Sequence, residues 1–524
     1  MKRTVSLLVA LIVCAGQFSV ATEPRRPNIV VILADDLGYS DLGCYGGEIQ
    51  TPNLDQLAAD GLRFTQFYNG ARCCPTRASL LTGLYPHEAG FPGMTGSLPP
   101  NAATIPEVLG AAGYRTFMCG KWHLGKPGPV DRGFEEFFGM LGGYNSYWNP
   151  RFYTRLPEGH PQRTYEAGRF YATDAITDHA IDFLAGARSR ADKPFFLYLA
   201  YNAPHFPLHA PEEDIAKYSN LYAQGWDKIR EARYARQKEL ALFVADWPLP
   251  PRSTIPPNPS ATAHGWSNKQ NPAWDSLPAD RQADLARRMA VYAAAVDRMD
   301  QNVGRVIKDL QAHGELEHTL VFFLSDNGAC AEWDPFGFDH AGKENTLHVG
   351  ADLKRIGGPE SYISYGSGWA NASNTPLRLY KHYSYEGGIA TPLIAHWPKG
   401  IDRPGGYERR IGHVADVMAT CLEVAGTSYP ADKLAPAGCS LVPAFRNEPE
   451  AGTRTMFFEH AGSRAVRSGT WKLVSLARQP WELYDIEADR AELNDLAAQE
   501  PERVKQLAAE WNEWAARMTA AGQR

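Results

Sequence analysis

Runs of continuous hydrophobic residues alternate along this chain with segments whose apolar positions recur at helical spacing. Residues 28–34 (NIVVILA) are apolar on both faces of an extended chain, which is typical of a strand inside a parallel sheet. Thr104 and Glu107 have the spacing of a capping box at a helix start. Similar signals predict helices over residues 51–61, 104–113, 174–188 and 279–313, and strands over residues 114–119, 195–201 and 320–325. This alternation predicts an α/β fold with a large, mostly parallel sheet flanked by helices.

The last part of the chain has a different pattern. Short apolar runs with tight connections predict an antiparallel sheet, followed by one helix. The predicted strands cover residues 456–460, 463–467, 471–476 and 481–486, and the helix covers residues 501–521. We therefore expect a large α/β domain over residues 22–450 and a small C-terminal α+β domain over residues 451–524.

Residues 212–278 interrupt the alternation of strands and helices. The segment is polar, contains several tryptophans, and has six prolines between Pro248 and Pro259. Proline removes a backbone donor and fixes φ, so this proline-rich part is not expected to form regular structure. We interpret the segment as an insertion over the top of the sheet.

The N-terminal residues have the features of a secretory signal peptide. Lys2 and Arg3 precede an apolar run over residues 5–13, and Ser19 and Ala21 are small residues at the cleavage-determining positions. We expect residues 1–21 to be removed and the protein to be periplasmic or secreted. No later stretch approaches 18 consecutive apolar residues, so we expect no membrane association after cleavage.

The overall charge argues against nucleic acid as a partner. Lys and Arg together number 53 and Asp and Glu number 59, which gives a formal net charge of −6. Binding to nucleic acid or to an anionic membrane requires a basic excess. The 8 cysteines are too few for a disulfide scaffold in 524 residues.

Polar side chains follow two of the predicted strands at the points where the strands end. Asp35 and Asp36 follow the first strand, and Asp326 and Asn327 follow the strand over residues 320–325. In open α/β sheets, ligands bind at the carboxyl ends of the strands. Carboxylate and amide oxygens suit Ca²⁺ or Mg²⁺, and the lack of a cluster of soft ligands argues against zinc. Either pair alone is also typical of a turn or a helix cap.

Basic residues and a cysteine add an anion site to this picture. Lys121 and His123 follow another predicted strand and alternate onto one face, and His205 follows a further one. Cys73 is predicted to lie at the start of a helix, where free N–H groups favour an anion, with Arg77 near the same face. A lone histidine is more often structural than catalytic, but these histidines follow strand ends as the carboxylates do.

At these residues the sequence resembles the formylglycine-dependent sulfatases, and among them the bacterial arylsulfatases. The signature is Cys-x-Pro-x-Arg followed by Leu-Thr-Gly, which here reads Cys73-Cys74-Pro75-Thr76-Arg77 and Leu81-Thr82-Gly83. The resemblance extends from about residue 27 to about residue 495. It includes Ala34-Asp35-Asp36-Leu37-Gly38, Gly120-Lys121-Trp122-His123, Ala203-Pro204-His205-Phe206-Pro207, Ser325-Asp326-Asn327-Gly328 and Lys381 with Glu386-Gly387-Gly388.

The resemblance implies an alkaline-phosphatase-like fold and a complete set of site residues. It implies that a formylglycine-generating enzyme oxidises Cys73 before folding and that the hydrated aldehyde is the nucleophile. Arg77 would orient the hydrate, and His123 would face its second hydroxyl. Sulfate oxygens would be held by Lys121, His205 and Lys381. One Ca²⁺ would be bound by Asp35, Asp36, Asp326, Asn327 and residue 73.

Two other functions fit parts of the sequence. A formylglycine-type phosphodiester or phosphonate monoester hydrolase would use the same nucleophile, although most relatives of the wider superfamily bind two zinc ions. A binding protein for sulfated glycans that has lost its activity would be expected to lack one of these residues, and here every position is filled.

The sequence leaves the substrate and the cysteine pairing open. Aryl, glycan and lipid sulfates all remain candidates. Several tryptophans are candidates either for stacking on a substrate ring or for the core: Trp148, Trp226, Trp247, Trp266 and Trp369. Six cysteines other than Cys14 and Cys73 have no readable pairing: Cys44, Cys74, Cys119, Cys330, Cys421 and Cys439.

Overall fold

The structure, a computed structural model, describes residues 26–189, 193–257, 265–332, 334–339, 343–344, 346–450 and 452–522. The predicted signal peptide and Cys14 lie outside these residues. The cysteines that the structure describes all carry free thiols: Cys44, Cys73, Cys74, Cys119, Cys330, Cys421 and Cys439. In the same part of the chain, no helix has the length and apolar character that crossing a membrane requires.

The described chain alternates between strands and helices as far as α11 and then, from Thr455, forms a separate small sheet. The strands are β1 (Asn28–Ala34), β2 (Leu62–Tyr68), β3 (Arg115–Lys121), β4 (Glu136–Met140), β5 (Thr154–Leu156), β6 (Phe195–Ala200), β7 (Thr319–Ser325), β8 (Phe338–Asp339), β9 (Lys343–Glu344), β10 (Ala390–His396), β11 (Gly406–Glu408), β12 (Gly412–His413), β13 (Thr455–His460), β14 (Ser463–Ser468), β15 (Trp471–Ser475) and β16 (Glu482–Asp485). The helices are α1 (Pro52–Ala59), α2 (Cys73–Thr82), α3 (Ile105–Ala111), α4 (Ala172–Arg188), α5 (Glu212–Ala216), α6 (Gly225–Glu239), α7 (Ala279–Ala312), α8 (Gly366–Ser373), α9 (Glu386–Ile389), α10 (Asp416–Ala425), α11 (Val442–Phe445) and α12 (Pro501–Gly522).

The central sheet confirms the predicted α/β fold. Within the described residues it has ten strands in the order β11-β2-β10-β7-β1-β6-β3-β4-β5, with β12 beside β2. Strands β7, β1, β6, β3 and β4 run parallel, whereas β10 is antiparallel to both β7 and β2. The parallel strands at the centre all end at the same edge, which brings together the residues that follow them.

Strand β1 shows why its sequence is apolar throughout. Val30 and Ile32 face one hydrophobic layer, while Ile29, Val31 and Leu33 face the other. Helices α1, α4 and α7 cover the first face of the sheet, and α2, α3 and α10 cover the second. A strand buried on both sides has no solvent face, so hydrophobic burial stabilises every one of its positions.

Most predicted elements are present, with ends shifted by a few residues. The capping box of α3 is confirmed, because the Thr104 side chain accepts from the Glu107 N–H and the Glu107 carboxylate accepts from the Thr104 N–H. Strands β2 and β10 were not predicted. The interrupting segment contains the 15-residue helix α6, which was also not predicted. Between Pro248 and Pro257 the described backbone has only an isolated bridge at Thr254.

The interrupting segment is anchored to the main core by tryptophans. Trp226 and Trp369 are buried and meet Trp274 edge to face, with ring centroids 4.9 to 5.7 Å apart. Trp247 is also buried. These three of the five tryptophans considered for ring stacking, Trp226, Trp247 and Trp369, are therefore core residues.

The C-terminal sheet is an antiparallel meander, β13-β14-β15-β16, and α12 packs on one of its faces through Val466, Leu473 and Leu507. The opposite face meets the large domain through a buried ion cluster. Lys472 Nζ lies 2.9 Å from Glu386 Oε1 and 2.8 Å from Glu492 Oε1. Because all three side chains are fully buried, each charge depends on its partners for stabilisation.

Replacing Lys472 with Ala should strongly destabilise the protein. The change leaves Glu386 and Glu492 buried together without their shared cation, and breaking a buried ion pair in this way costs about 3–5 kcal/mol. Denaturant unfolding of wild type and variant would measure the loss. Lys228→Ala, which removes an exposed ion pair with Glu231, is the matched control and should leave the midpoint unchanged. Equal midpoints for Lys472→Ala and wild type would contradict the assigned role of the cluster.

Candidate active site

The carboxylates that follow β1 and β7 meet at one buried point, as expected. Asp35, Asp36, Asp326 and Asn327 are each at most 1% exposed. The backbone N–H of Asp36 donates to Asp326 Oδ1 at 3.2 Å, and the Asn327 Nδ2 group donates to Asp36 Oδ1 at 2.7 Å. Asp36 has φ +69°, a left-handed conformation that a non-glycine residue adopts at a cost. The turn after β1 therefore carries local strain at the centre of this group.

Buried cations from three different elements surround these carboxylates. Arg77 of α2 donates to Asp326 Oδ2 from Nε and Nη2 at 3.0 and 2.8 Å. Lys121, at the end of β3, lies 2.5 Å from Asp35 Oδ2. Lys381, in the loop before α9, lies 2.7 Å from Asp36 Oδ1. Three basic side chains thus face three carboxyl groups, and this pairing lowers the cost of burying them.

Two oxygen atoms among these carboxylates and amides accept no hydrogen bond and suit a hard divalent cation. Asp35 Oδ1 and Asn327 Oδ1 are buried and have no hydrogen-bond partner. Burial and the neighbouring Asp35 charge raise the pKa of Asp326 to about 8. A divalent cation would satisfy the unpartnered oxygens and favour the ionised carboxylates. The donor set of carboxylate and amide oxygens is the type that Ca²⁺ and Mg²⁺ prefer.

Cys73 lies at the N-terminus of α2, beside the carboxylate group. It is the first helical residue and is 1% exposed. A hydrogen bond with the Cys74 thiol and the nearby Lys121 and His123 lower the pKa of Cys73, although burial opposes them. The sulfur atoms of Cys73 and Cys74 and a ring nitrogen of His123 all lie within 4.8 Å of one another. The residues on which the prediction of an anion site rests, Cys73 at a helix N-terminus with Lys121 and His123 nearby, therefore lie together.

Two histidines face the same space from different strand ends. His123 has φ +53°, and its Nδ1 atom is buried without a hydrogen-bond partner. His205 Nδ1 donates to the Phe206 carbonyl at 2.6 Å, so its Nε2 atom faces Asp36 Oδ2 at 3.4 Å. Burial lowers the pKa of His205 to about 4, against the pull of the Asp36 carboxylate.

The structure thus brings every predicted site residue to one edge of the sheet. It also places residues there that the sequence did not single out. Arg72 and His382 lie on one side of Cys73, and Tyr144 and Glu332 lie beside His205. None of these follows a strand directly or belongs to a recognisable motif, so no local signal marks them.

Comparison with known proteins agrees with this geometry. Residues 27–427 match the family described as Sulfatase, and residues 378–518 match the C-terminal family of N-sulphoglucosamine sulphohydrolase. The chain is 35% identical to an uncharacterized sulfatase of Schizosaccharomyces pombe over 94% of both chains. It is 34% identical to an arylsulfatase of Klebsiella aerogenes, over 81% of this chain and 92% of the relative.

A solved structure, Ps i-CgsB in complex with k-i-k-neocarrahexaose, is 27% identical and has a TM-score of 0.67, with 94% of this chain and 93% of that chain covered. The family resemblance seen in the sequence is confirmed. The chain belongs to the sulfatase family of sulfuric ester hydrolases, and it has the alkaline-phosphatase-like fold of that family.

Proposed function

We propose that this chain hydrolyses sulfate esters with a formylglycine hydrate, derived from Cys73, as the nucleophile. The observation that carries the proposal is the position of Cys73. It lies at a helix N-terminus, within reach of His123, and beside buried lysines and carboxylates. An aldehyde hydrate has two hydroxyls, so one can attack sulfur and the other can later expel sulfate. A thiol has no such second group. The conversion needs a formylglycine-generating enzyme as a partner before folding, because the folded chain buries Cys73.

The metal would be Ca²⁺, one per site. The residues that would hold it are Asp35, Asp36, Asp326, Asn327 and residue 73. When bound, the ion would lower the negative charge that shields sulfur from a nucleophile. The unpartnered oxygens of Asp35 and Asn327 support this assignment.

The surrounding cations hold and orient the reacting groups. Arg77 is fixed by Asp326 and by the Lys121 carbonyl at 2.9 Å, and it would orient the hydrate. Lys121 and Lys381, which contact Asp35 and Asp36 here, would donate to the non-bridging sulfate oxygens and stabilise their charge.

The reaction would proceed in two steps. One hydroxyl of the hydrate would give its proton to a neighbouring carboxylate, Asp35 or Asp36, and its oxygen would form a bond to sulfur as the bond from sulfur to the alcohol oxygen breaks. The alcohol would leave with a proton from His205 Nε2. A bound sulfate ester adds negative charge beside Nε2, which raises the pKa of His205 above its value without substrate. The second hydroxyl then loses its proton to His123, the aldehyde forms again, and sulfate leaves. Water restores the hydrate.

The names of similar proteins and the N-terminal sequence support the proposed substrate class and location. One relative is named an arylsulfatase, and one similar solved structure is a complex with k-i-k-neocarrahexaose, so aryl and glycan sulfates are the substrates to test. The N-terminal sequence supports a periplasmic or secreted protein. Turnover of 4-nitrophenyl sulfate against 4-nitrophenyl phosphate tests the activity itself. Sulfate turnover that does not exceed phosphate turnover would overturn the proposal in favour of a phosphoester hydrolase.

Mass spectrometry of the active protein should show that Cys73 is modified. The change from thiol to aldehyde makes its tryptic peptide about 18 Da lighter than the coded mass. The peptide with buried Cys421 is an internal control and should have the coded mass. An unmodified Cys73 thiol in a fully active preparation would rule out the proposed nucleophile.

Removal of the metal should abolish activity, and Ca²⁺ should restore it. Asn327→Ala removes one uncharged oxygen ligand without leaving a buried charge unpaired. We expect it to weaken Ca²⁺ binding about tenfold or more by calorimetry, which reads binding independently of turnover. Restoration by Zn²⁺ and not by Ca²⁺ would contradict the proposed metal.

His205→Ala should affect substrates according to their leaving groups. An alkoxide needs a proton as the S–O bond breaks, whereas a nitrophenolate needs little help. We expect a loss of about 10²–10⁴-fold on alkyl sulfates and a smaller loss on 4-nitrophenyl sulfate. Lys121→Ala should reduce both activities similarly, because charge on the non-bridging oxygens develops with either alcohol. The measurement is kcat/KM against leaving-group pKa for wild type and both variants. If the three slopes are equal, His205 is not the general acid.

A further inference from the structure

An aromatic surface lies beside His205, on the side of the site where the alcohol would leave. The Tyr144 ring lies nearly parallel to the His205 ring, at 12° with centroids 6.3 Å apart. It also contacts Phe206, at 4.9 Å, and Tyr362, at 6.3 Å. Tyr144 is 49% exposed, an unusual exposure for a large aromatic side chain held by ring contacts. About half of the residue is therefore open to a group bound next to His205.

A carboxylate completes this side of the site. One oxygen of Glu332 lies within 4.8 Å of a carboxylate oxygen of Asp36, and its charge acts on both His205 and Tyr362. The Cys330 thiol donates to Glu332 Oε1 at 2.6 Å and fixes the orientation of the group. Glu332 has φ +40°, a strained conformation for a residue other than glycine. Such strain is often retained where a side chain must be held in a particular place.

The two residues differ in the chemistry that they offer. An aromatic face provides apolar surface for a ring. An ionised carboxylate is an acceptor only, so it needs hydrogen-bond donors from whatever binds next to it. A hydroxylated ring has both an apolar C–H face and donors around its edge. A plain aryl ring has the face but no donor, and it would remove water from Glu332 without replacing the lost hydrogen bonds.

We propose that Tyr144 and Glu332 form the leaving-group subsite and that they select sulfate esters of sugar rings. The ring stacks on Tyr144, and a ring hydroxyl donates to Glu332. This inference rests on the proposed sulfate ester hydrolysis at Cys73, and it assigns to these two residues the choice of alcohol rather than any part in the chemical step.

The test uses two esters that differ in ring hydroxyls. Glucose 6-sulfate and cyclohexylmethyl sulfate are both primary alkyl sulfates on a six-membered ring, but only the first has ring donors. Wild type should prefer the sugar ester. Glu332→Leu, which keeps volume and removes the acceptor, should lower the ratio of the two kcat/KM values by about 10- to 100-fold. Glu332→Gln, which keeps an uncharged acceptor, should lower the ratio less.

Three further variants separate stacking and general effects from recognition of the hydroxyl. Tyr144→Ala should lower kcat/KM on both esters by about 5- to 10-fold, whereas Tyr144→Phe should retain it. Glu360→Gln is the matched control, because this carboxylate is exposed and pairs with Arg355. Its ratio should equal that of wild type.

The outcomes distinguish this inference from the activity on which it rests. If wild type turns over 4-nitrophenyl sulfate but does not prefer glucose 6-sulfate over cyclohexylmethyl sulfate, the subsite assignment is overturned and the sulfatase activity stands. The assignment is equally overturned if Glu332→Leu leaves the ratio unchanged. If wild type releases sulfate from none of the esters, the proposed function fails, and the inference fails with it.

Discussion

The burial of three carboxylates side by side is the constraint on which the rest of this molecule depends. Asp35, Asp36 and Asp326 have almost no contact with water, and like charges at such distances are stable only with compensation. Arg77, Lys121 and Lys381 supply that compensation from a helix, a strand end and a loop that are far apart in sequence. The order of the central strands is what brings these elements to one edge. The strand order therefore determines which cations lie beside these carboxylates.

The small C-terminal sheet takes part in this arrangement. The loop that carries Lys381 continues into Ser384, whose N–H donates to the Ser463 hydroxyl at 2.9 Å, and then into Glu386, which bonds Lys472. The same short stretch therefore holds a cation of the site at one end and a buried anchor in the second sheet at the other. The C-terminal sheet therefore supports the position of the loop that carries Lys381.

Much of this architecture could be predicted from local sequence, and the exceptions have physical causes. Strands β1 and β7 could be predicted because both faces of each strand are buried, so their sequences are continuously apolar. Strand β10 contains Pro392, and helix α6 is strongly polar, so their local signals conflict with the structure that packing imposes. Asp35, Asp36, Asp326 and Asn327 could be predicted because strand ends converge. Lys381 follows no strand, and only the family resemblance singled it out.

Residues beside the reacting centre were harder to foresee than the centre itself. Tyr144 and Glu332 come from loops whose course depends on tertiary contacts, and a single tyrosine or glutamate has no distinctive spacing. Most of the side chains proposed for the chemistry lie at strand ends or at the start of a helix beside them. Side chains that recognise the alcohol are free to arise from any loop that reaches the opening, which is why one fold accommodates many substrates.

The burial of Cys73 has a consequence for how active molecules arise. A side chain with 1% of its surface exposed is out of reach of another protein's catalytic groups once the chain has folded. Under the proposed conversion of Cys73, oxidation and folding are in competition during biosynthesis, and a chain that folds first keeps its thiol. The specific activity of a preparation then depends on the rate of oxidation relative to the rate of folding in the producing cell. Two samples with identical sequence and identical stability would differ in activity according to how they were made.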